Sequence, residues 1–231
     1  MADGQGGPTR QIAFKVQVKA NGPYIVVGGV PLRRKRPVSS EHGEPLTWRA
    51  DDVIDEGAAY ALCRCGGSAS KPYCDGTHAS NGFDGTESAP TDGYEATAKT
   101  YDGTNIEVLD DRGLCEHAGF CGNRVTNVWK MVRDTADTTV RAQVMAMIEH
   151  CPSGALSYRV EGELLEPSLP AEVGVIDDGP LWLTGGIPVE RADGQPLETR
   201  NRVTLCRCGG SANKPLCDGT HKELGFHVDG T

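Results

Sequence analysis

The sequence predicts a β-rich α+β chain in which two small β halves, related by a pseudo-twofold axis, flank a separate α+β lobe. Three observations carry this. Residues 63–78, CRCGGSASKPYCDGTH, return at 206–221 as CRCGGSANKPLCDGTH, with fourteen of the sixteen positions identical. The repetition extends upstream of both copies into matching turns and apolar runs. Between the copies lies a segment of different pattern, which holds the one convincing helix of the chain.

The elements follow in order. Residues 11–18, QIAFKVQV, alternate well enough to form a strand. Asn21-Gly22-Pro23 then reads as a turn, Tyr24 to Val27 as an apolar strand, and Gly28-Gly29 as a break. The second half repeats this at an offset of 157, from Asp178-Gly179-Pro180 through Leu181 to Gly185-Gly186. Gly43-Glu44-Pro45-Leu46 and Gly194-Gln195-Pro196-Leu197, offset by 151, each read as the turn of a hairpin. The sixteen-residue stretches align at 143, as do Gly82-Phe83 and Gly225-Phe226. The falling offset gives the first half six extra residues between the first two anchors and eight more before its cysteines. The basic run Arg33-Arg34-Lys35-Arg36, closed by Pro37, falls among these extra residues and is expected in a solvated loop. Neither half buries much core alone. Residues 11–88 and 171–231 are therefore expected to pack as one pseudo-symmetric unit, a monomer with an internal dimer.

The insert, 91–170, is read as its own lobe. Thr104 to Leu109 is strand-like and leads to Cys115. Residues 137–149 form the helix, with Asp137 as N-cap and Val140, Val144, Met147 and Ile148 on one face. Cys151-Pro152 makes a turn and is followed by a strand ending near Val160.

Composition narrows the function. No run of eighteen apolar residues occurs in the 231, so no membrane span is expected, and the N-terminal MADGQGGPTRQ reads as neither signal nor transit peptide. Asp and Glu number 32 against 23 Lys and Arg, which disfavours nucleic acid and favours a protein partner with a basic docking face. The nine cysteines fall into three groups: 63, 65, 74; 115, 121, 151; and 206, 208, 217. An odd count and C-x-C pairs argue against disulfides and for metal ligation in a reducing compartment, most simply the cytoplasm. His42, His150 and His227 are expected at the surface. There is no dinucleotide or phosphate loop and no nucleophile elbow, so no enzymatic chemistry is expected.

Each repeated stretch offers three thiolates and one imidazole. Asp75 is expected to cap a helix start that carries His78. Zinc accepts a Cys₃His set, although its first pair is usually spaced C-x₂₋₄-C. A [2Fe–2S] cluster instead uses two ligands on each of two irons, which suits C-x-C and C-x₃-H pairs. Spacing leaves both open and favours iron–sulfur.

Both stretches resemble the CDGSH iron–sulfur (NEET) family, matching its C-x-C-x₂-[ST]-x₃-P-x-C-D-G-[SAT]-H pattern throughout, with Thr77 and Thr220 at the variable position. The resemblance implies Cys63, Cys65, Cys74 and His78 on one [2Fe–2S] cluster and Cys206, Cys208, Cys217 and His221 on another. Lys71, Lys214, Asp75 and Asp218 lie inside these loops as candidates to tune the histidines. The insert is similar to a mono-cluster bacterial ferredoxin. In such proteins a C-x₂-C-x₂-C run supplies three ligands and the Cys-Pro cysteine the fourth. Here Ala118 stands at the middle position. Cys115, Cys121 and Cys151 then suit a [3Fe–4S] cluster, while His117, one residue away, offers a fourth ligand to [4Fe–4S]; an empty or zinc-filled site is the remaining alternative.

An electron-transfer protein is the leading expectation. A donor or sensor of clusters or iron, serving an apo-acceptor, is the first rival. A zinc-stapled interaction module is the second.

Overall fold

The computed structural model describes residues 14–228, so residues 11–13 of the first expected strand lie outside it. The chain is strand-rich, with thirteen strands and four helices among the described residues. The first half supplies β1 (Lys15–Val18), β2 (Tyr24–Val27), β3 (Leu32–Ser39), β4 (Pro45–Asp55) and β5 (Ala59–Leu62). The insert opens with the short α1 (Tyr94–Thr97) and holds β6 (Lys99–Gly103), β7 (Ile106–Asp110), α2 (Val128–Met131), α3 (Thr138–Glu149), β8 (Leu156–Val160) and β9 (Glu163–Leu165). The second half supplies β10 (Glu172–Ile176), β11 (Leu181–Thr184), β12 (Val189–Glu190), β13 (Arg202–Leu205) and α4 (Thr220–Glu223).

Strands cross between the halves. One sheet runs β12-β1-β2-β5 and a second β13-β11-β10-β3-β4, so each contains strands of both repeats. The exchanged pairs are the parallel ones: Val16 opposite Val189, and Leu32 to Lys35 opposite Val173 to Ile176. Alternation along β1 and β2 turns Val16, Val18, Tyr24 and Val26 inward. They meet Val173, Val175, Leu181, Leu183, Val203 and Leu205 in one shared core. The insert has its own core, in which Val144 and Ile148 of α3 face Val108, Leu156 and Tyr158 of the β6-β7-β8-β9 sheet. Asp137 caps α3 by accepting a hydrogen bond from the Thr139 N–H, as its sequence position predicts.

Two expectations are corrected. The basic run is not a solvated loop. Residues 33–36 lie within β3, between β10 and β4, and face acids on both neighbours. Arg33 and Lys35 pair with the buried Glu172, Arg36 with Asp51 and Asp177, and Arg34 with Asp177. Also, only the first half forms the expected hairpin. After β12 the Gly194 turn leads into irregular chain and β12 remains a sheet edge, since the second half has eight fewer residues than the first between this turn and its cysteines. The extra residues of the first half extend the β3–β4 hairpin until Trp48 packs on Phe120 and Trp182 and its Nε1 donates to the His150 carbonyl, 2.9 Å away. His150 is thus half-buried and stacked on Phe120 rather than free at the surface, while His42 and His227 are exposed.

A shared core makes a stability prediction. Leu205 and Leu62 are fully buried. Leu205→Ala should cost about 2–5 kcal/mol, and it should lower one cooperative transition in which both repeats melt together. Two separable transitions for the halves, with only the second affected, would contradict the shared core.

Candidate metal centres

Each repeated loop is built the same way. The strand before it, β5 or β13, delivers the C-x-C pair, and the chain returns over the Lys-Pro turn so that Cys63 N–H donates to the Pro72 carbonyl and Cys206 N–H to that of Pro215. Asp75 does not cap a helix, which corrects the sequence reading. The short 3₁₀ turn Thr77–Ala79 begins at Gly76, and α4 at Gly219. The Asp75 carboxylate instead binds across the loop, accepting from Ala69 N–H at 2.7 Å and Thr77 N–H at 3.0 Å, and Asp218 does the same with Ala212 and Thr220. These bonds hold the Asp75 carboxyl well below the ordinary range, the Thr77 hydroxyl contributing most. Lys71 and Lys214 donate to the Ser68 and Ser211 carbonyls of their own loops, each at 2.6 Å.

The expected donors are brought together in pairs. The Sγ atoms of Cys63 and Cys65 stand 3.9 Å apart, and those of Cys206 and Cys208 3.8 Å. Cys74 Sγ lies 3.4 Å from His78 Nδ1, and Cys217 Sγ 3.4 Å from His221 Nδ1. Two donors on one tetrahedral metal, with bonds of about 2.3 Å to sulfur and about 2.0 Å to nitrogen, stand roughly 3.5–3.8 Å apart. The N–H groups of Gly67, Gly76 and Gly210 point at Cys65, Cys74 and Cys208, each 3.4 Å from sulfur, and stabilise thiolate. Burial pushes the Cys217 thiol far up, so its thiolate exists there only beside a compensating cation. All nine cysteines are free.

The two loops abut. A Cβ on Gly209 would lie 2.8 Å from the Cys65 carbonyl oxygen, and one on Gly66 would strike the Cys208 carbonyl, so backbone contact across the pseudo-twofold requires glycine on both sides. Sequence reasoning missed Arg64 and Arg207, the middle residues of the C-x-C pairs. Both are buried; Arg64 donates to the Gly85 carbonyl, and Arg207 to those of Gly179 and Ile176. Their identity in both copies was the available signal.

In the insert, Cys115, Cys121 and Cys151 line a cavity of about 130 Å³ with Ala118, Gly119, Phe120 and Leu156. His117 lies at its rim on a left-handed backbone (φ 63°), exposed, with its carbonyl accepting from Lys222 and its ring against Gly219 of the second repeated loop. Buried beside it is Glu116, which no sequence pattern signalled. Its carboxyl stands 3.9 Å from His221 Nε2 and gathers with Cys217 and His221 within 4.8 Å. Burial pushes Glu116 up to about 8 against the opposing pull of Lys222, and burial, then Lys222 and Arg207, push His221 down to about 4. The facing pair is therefore neutral on both sides near pH 7, and His221 keeps its lone pair for a metal.

A family model described as iron-binding zinc finger, CDGSH type, matches residues 21–79 and 178–222, and one described as divergent 4Fe-4S mono-cluster matches residues 101–161. The protein of Escherichia coli (strain K12) called "Uncharacterized protein YjdI" is 36% identical over 64 residues, which cover 26% of this chain and 84% of that protein. Its counterpart in Escherichia coli O157:H7 matches to the same extent. No solved structure matches the chain. No helix among the described residues is long and apolar enough to cross a membrane.

Proposed function

Because the chain belongs to the CDGSH iron–sulfur family, with a divergent mono-cluster segment set between its two CDGSH halves, we propose that it is an electron carrier with two [2Fe–2S] clusters and one ferredoxin-type cluster. Cys63, Cys65, Cys74 and His78 hold the first, and Cys206, Cys208, Cys217 and His221 the second. Cys115, Cys121 and Cys151 hold the third, with His117 at its rim. Bound in these sites, the clusters supply one-electron redox chemistry. The protein's part is to fix the donors, exclude water from the inner thiolates and set charge. Each histidine replaces a thiolate by a neutral imidazole, which leaves its site one unit less negative and easier to reduce than an all-cysteine site.

The observation that carries the reading is the pairing of donors. In each repeated loop two close pairs form, yet among the described residues the four donors of a loop do not gather within 4.8 Å, as four ligands of one zinc ion would. Two irons, each with its own pair, fit that arrangement. All nine cysteines fall in donor sets and none is left as a nucleophile, so the chain is read as a carrier rather than an enzyme. Its net charge of −9 suits a redox partner with a basic docking face in a compartment that keeps thiols reduced.

Protein purified without oxygen should be brown-red, with about seven irons per chain for a three-iron central cluster and about eight for a four-iron one. About four irons would leave the central site without its cluster. A colourless protein with stoichiometric zinc would overturn the carrier reading in favour of a zinc-stapled module.

A further inference from the structure

The repeated loops are nearly identical in sequence, yet the fold treats them differently. In the second loop Cys217 is 2% and His221 5% exposed, whereas Cys74 and His78 are half-buried. The difference comes from the insert. A Cβ on Gly219 would meet His117 Cδ2 at 2.6 Å and the Glu116 carbonyl oxygen at 3.3 Å, while a Cβ on the matching Gly76 would meet nothing within 4 Å. Glu116, only 3% exposed, faces the free ring edge of His221. Lys222 ties the cap down by donating to the His117 carbonyl, and the first repeat carries Ala79 at the equivalent place. Among the described residues, Cys74 and His78 gather no third acidic or metal-binding side chain.

We propose that Glu116 is a positioning residue of the second CDGSH site. With the 116–117 backbone it closes that site over His221, making its cluster the retained one, and the uncapped His78 site is the one that exchanges with solvent and acceptors. The 3.9 Å from Glu116 to Nε2 is too long for a hydrogen bond, so the carboxyl acts by filling the space behind the ring and limiting its swing away from the metal. Groups behind the second ring nitrogen orient ligating histidines, and loss of a hydrogen-bonded one costs about 10–100-fold in metal retention; the steric backing by Glu116 is expected at the lower end of that range. The inference rests on the reading of Cys217 and His221 as cluster ligands.

The test uses full-length, cluster-loaded protein challenged with a ferrous-iron chelator at fixed neutral pH. Samples are followed by the nitrogen hyperfine coupling of the reduced protein, which marks histidine-held clusters. Two phases of equal amplitude are expected, their rates at least about tenfold apart. His78→Cys should alter only the fast phase and His221→Cys only the slow one. Glu116→Ala should speed the slow phase about tenfold or more and leave the fast one unchanged, while Glu116→Gln, of nearly the same shape, should restore slow loss. Should Glu116→Ala fail to fold, the exposed Lys222→Met serves instead and should speed the same phase. A single phase in the wild type, or a slow phase unmoved by both Glu116→Ala and Lys222→Met, would overturn the proposal. Absence of nitrogen coupling at the outset would instead remove the ligand assignment beneath it.

Discussion

Replacing Arg202 with Met should strip the central site of its iron and leave the two repeated sites loaded. The Arg202 side chain is 1% exposed and lies where β13 meets the insert. Its Nε pairs with Glu166 at 2.7 Å; Nη1 donates to the carbonyls of Ile148, Cys151 and Glu149 at 2.8, 2.9 and 3.3 Å, and Nη2 to that of Leu156 at 3.2 Å. Those of Ile148, Glu149 and Cys151 end α3 and begin the turn that carries Cys151, while that of Leu156 opens β8. The carbonyls at the end of α3 are the negative pole of the helix, so the guanidinium answers both their hydrogen bonding and their dipole. Met nearly keeps the volume but removes the charged donor from all four carbonyls at once and leaves the Glu166 carboxylate with Asn201 Nδ2 alone, a loss of about 3–5 kcal/mol. The insert retains its own core, so the damage should concentrate at the Cys151 turn. Iron per chain should fall by three or four, and the denaturation midpoint should drop. Arg202→Lys should not rescue, because one ammonium cannot serve acceptors spread over both sides of a planar fork. Full iron content in Arg202→Met would show that the central site does not depend on this bracket.

His78→Cys should lower the reduction potential of the first repeated site by on the order of hundreds of millivolts. The scale comes from clusters with two histidines, at roughly −150 to +300 mV, against about −400 mV for all-thiolate plant-type clusters. A thiolate in place of neutral imidazole adds one negative charge to the oxidised site, and the added electron then meets a more negative cluster. His221→Cys should act in the same direction on the second site. Potentiometric titration of each variant checks this, with the unmutated site as internal reference. If the protein is an electron carrier, each variant should keep its cluster and lose turnover with its natural reductant. Potentials unchanged in both variants would show that these histidines are not ligands.

Much of the molecule was legible from residue order. The motif spacing brought Cys63 to Cys65 and Cys74 to His78 without reference to the rest of the fold, since donors so few residues apart depend on local backbone turns. Helix α3 and its Asp137 cap followed from period and cap chemistry, which also act within a turn or two. The repeat itself announced that two halves would share a core, because neither held enough apolar surface.

What escaped were choices between partners distant in sequence. The basic run 33–36 reads as a solvated loop until Glu172, Asp177 and Asp51 are placed beside it by the parallel pairing of β3 with β10 and the return of β4. The second Gly-x-Pro-Leu turn resembles the first, yet β12 pairs with β1 alone and ends its sheet, with no returning strand beside it as β4 lies beside β3. Glu116 and Lys222 are ordinary charged residues in the sequence, one beside a cysteine and one beside a histidine. Docking of the insert against only one of two equivalent loops gave them their roles. A symmetric sequence specifies two alike sites through bonds along the chain; one lobe can cover only one of them, and burial, which depends on every element packed nearby, makes the two sites unlike.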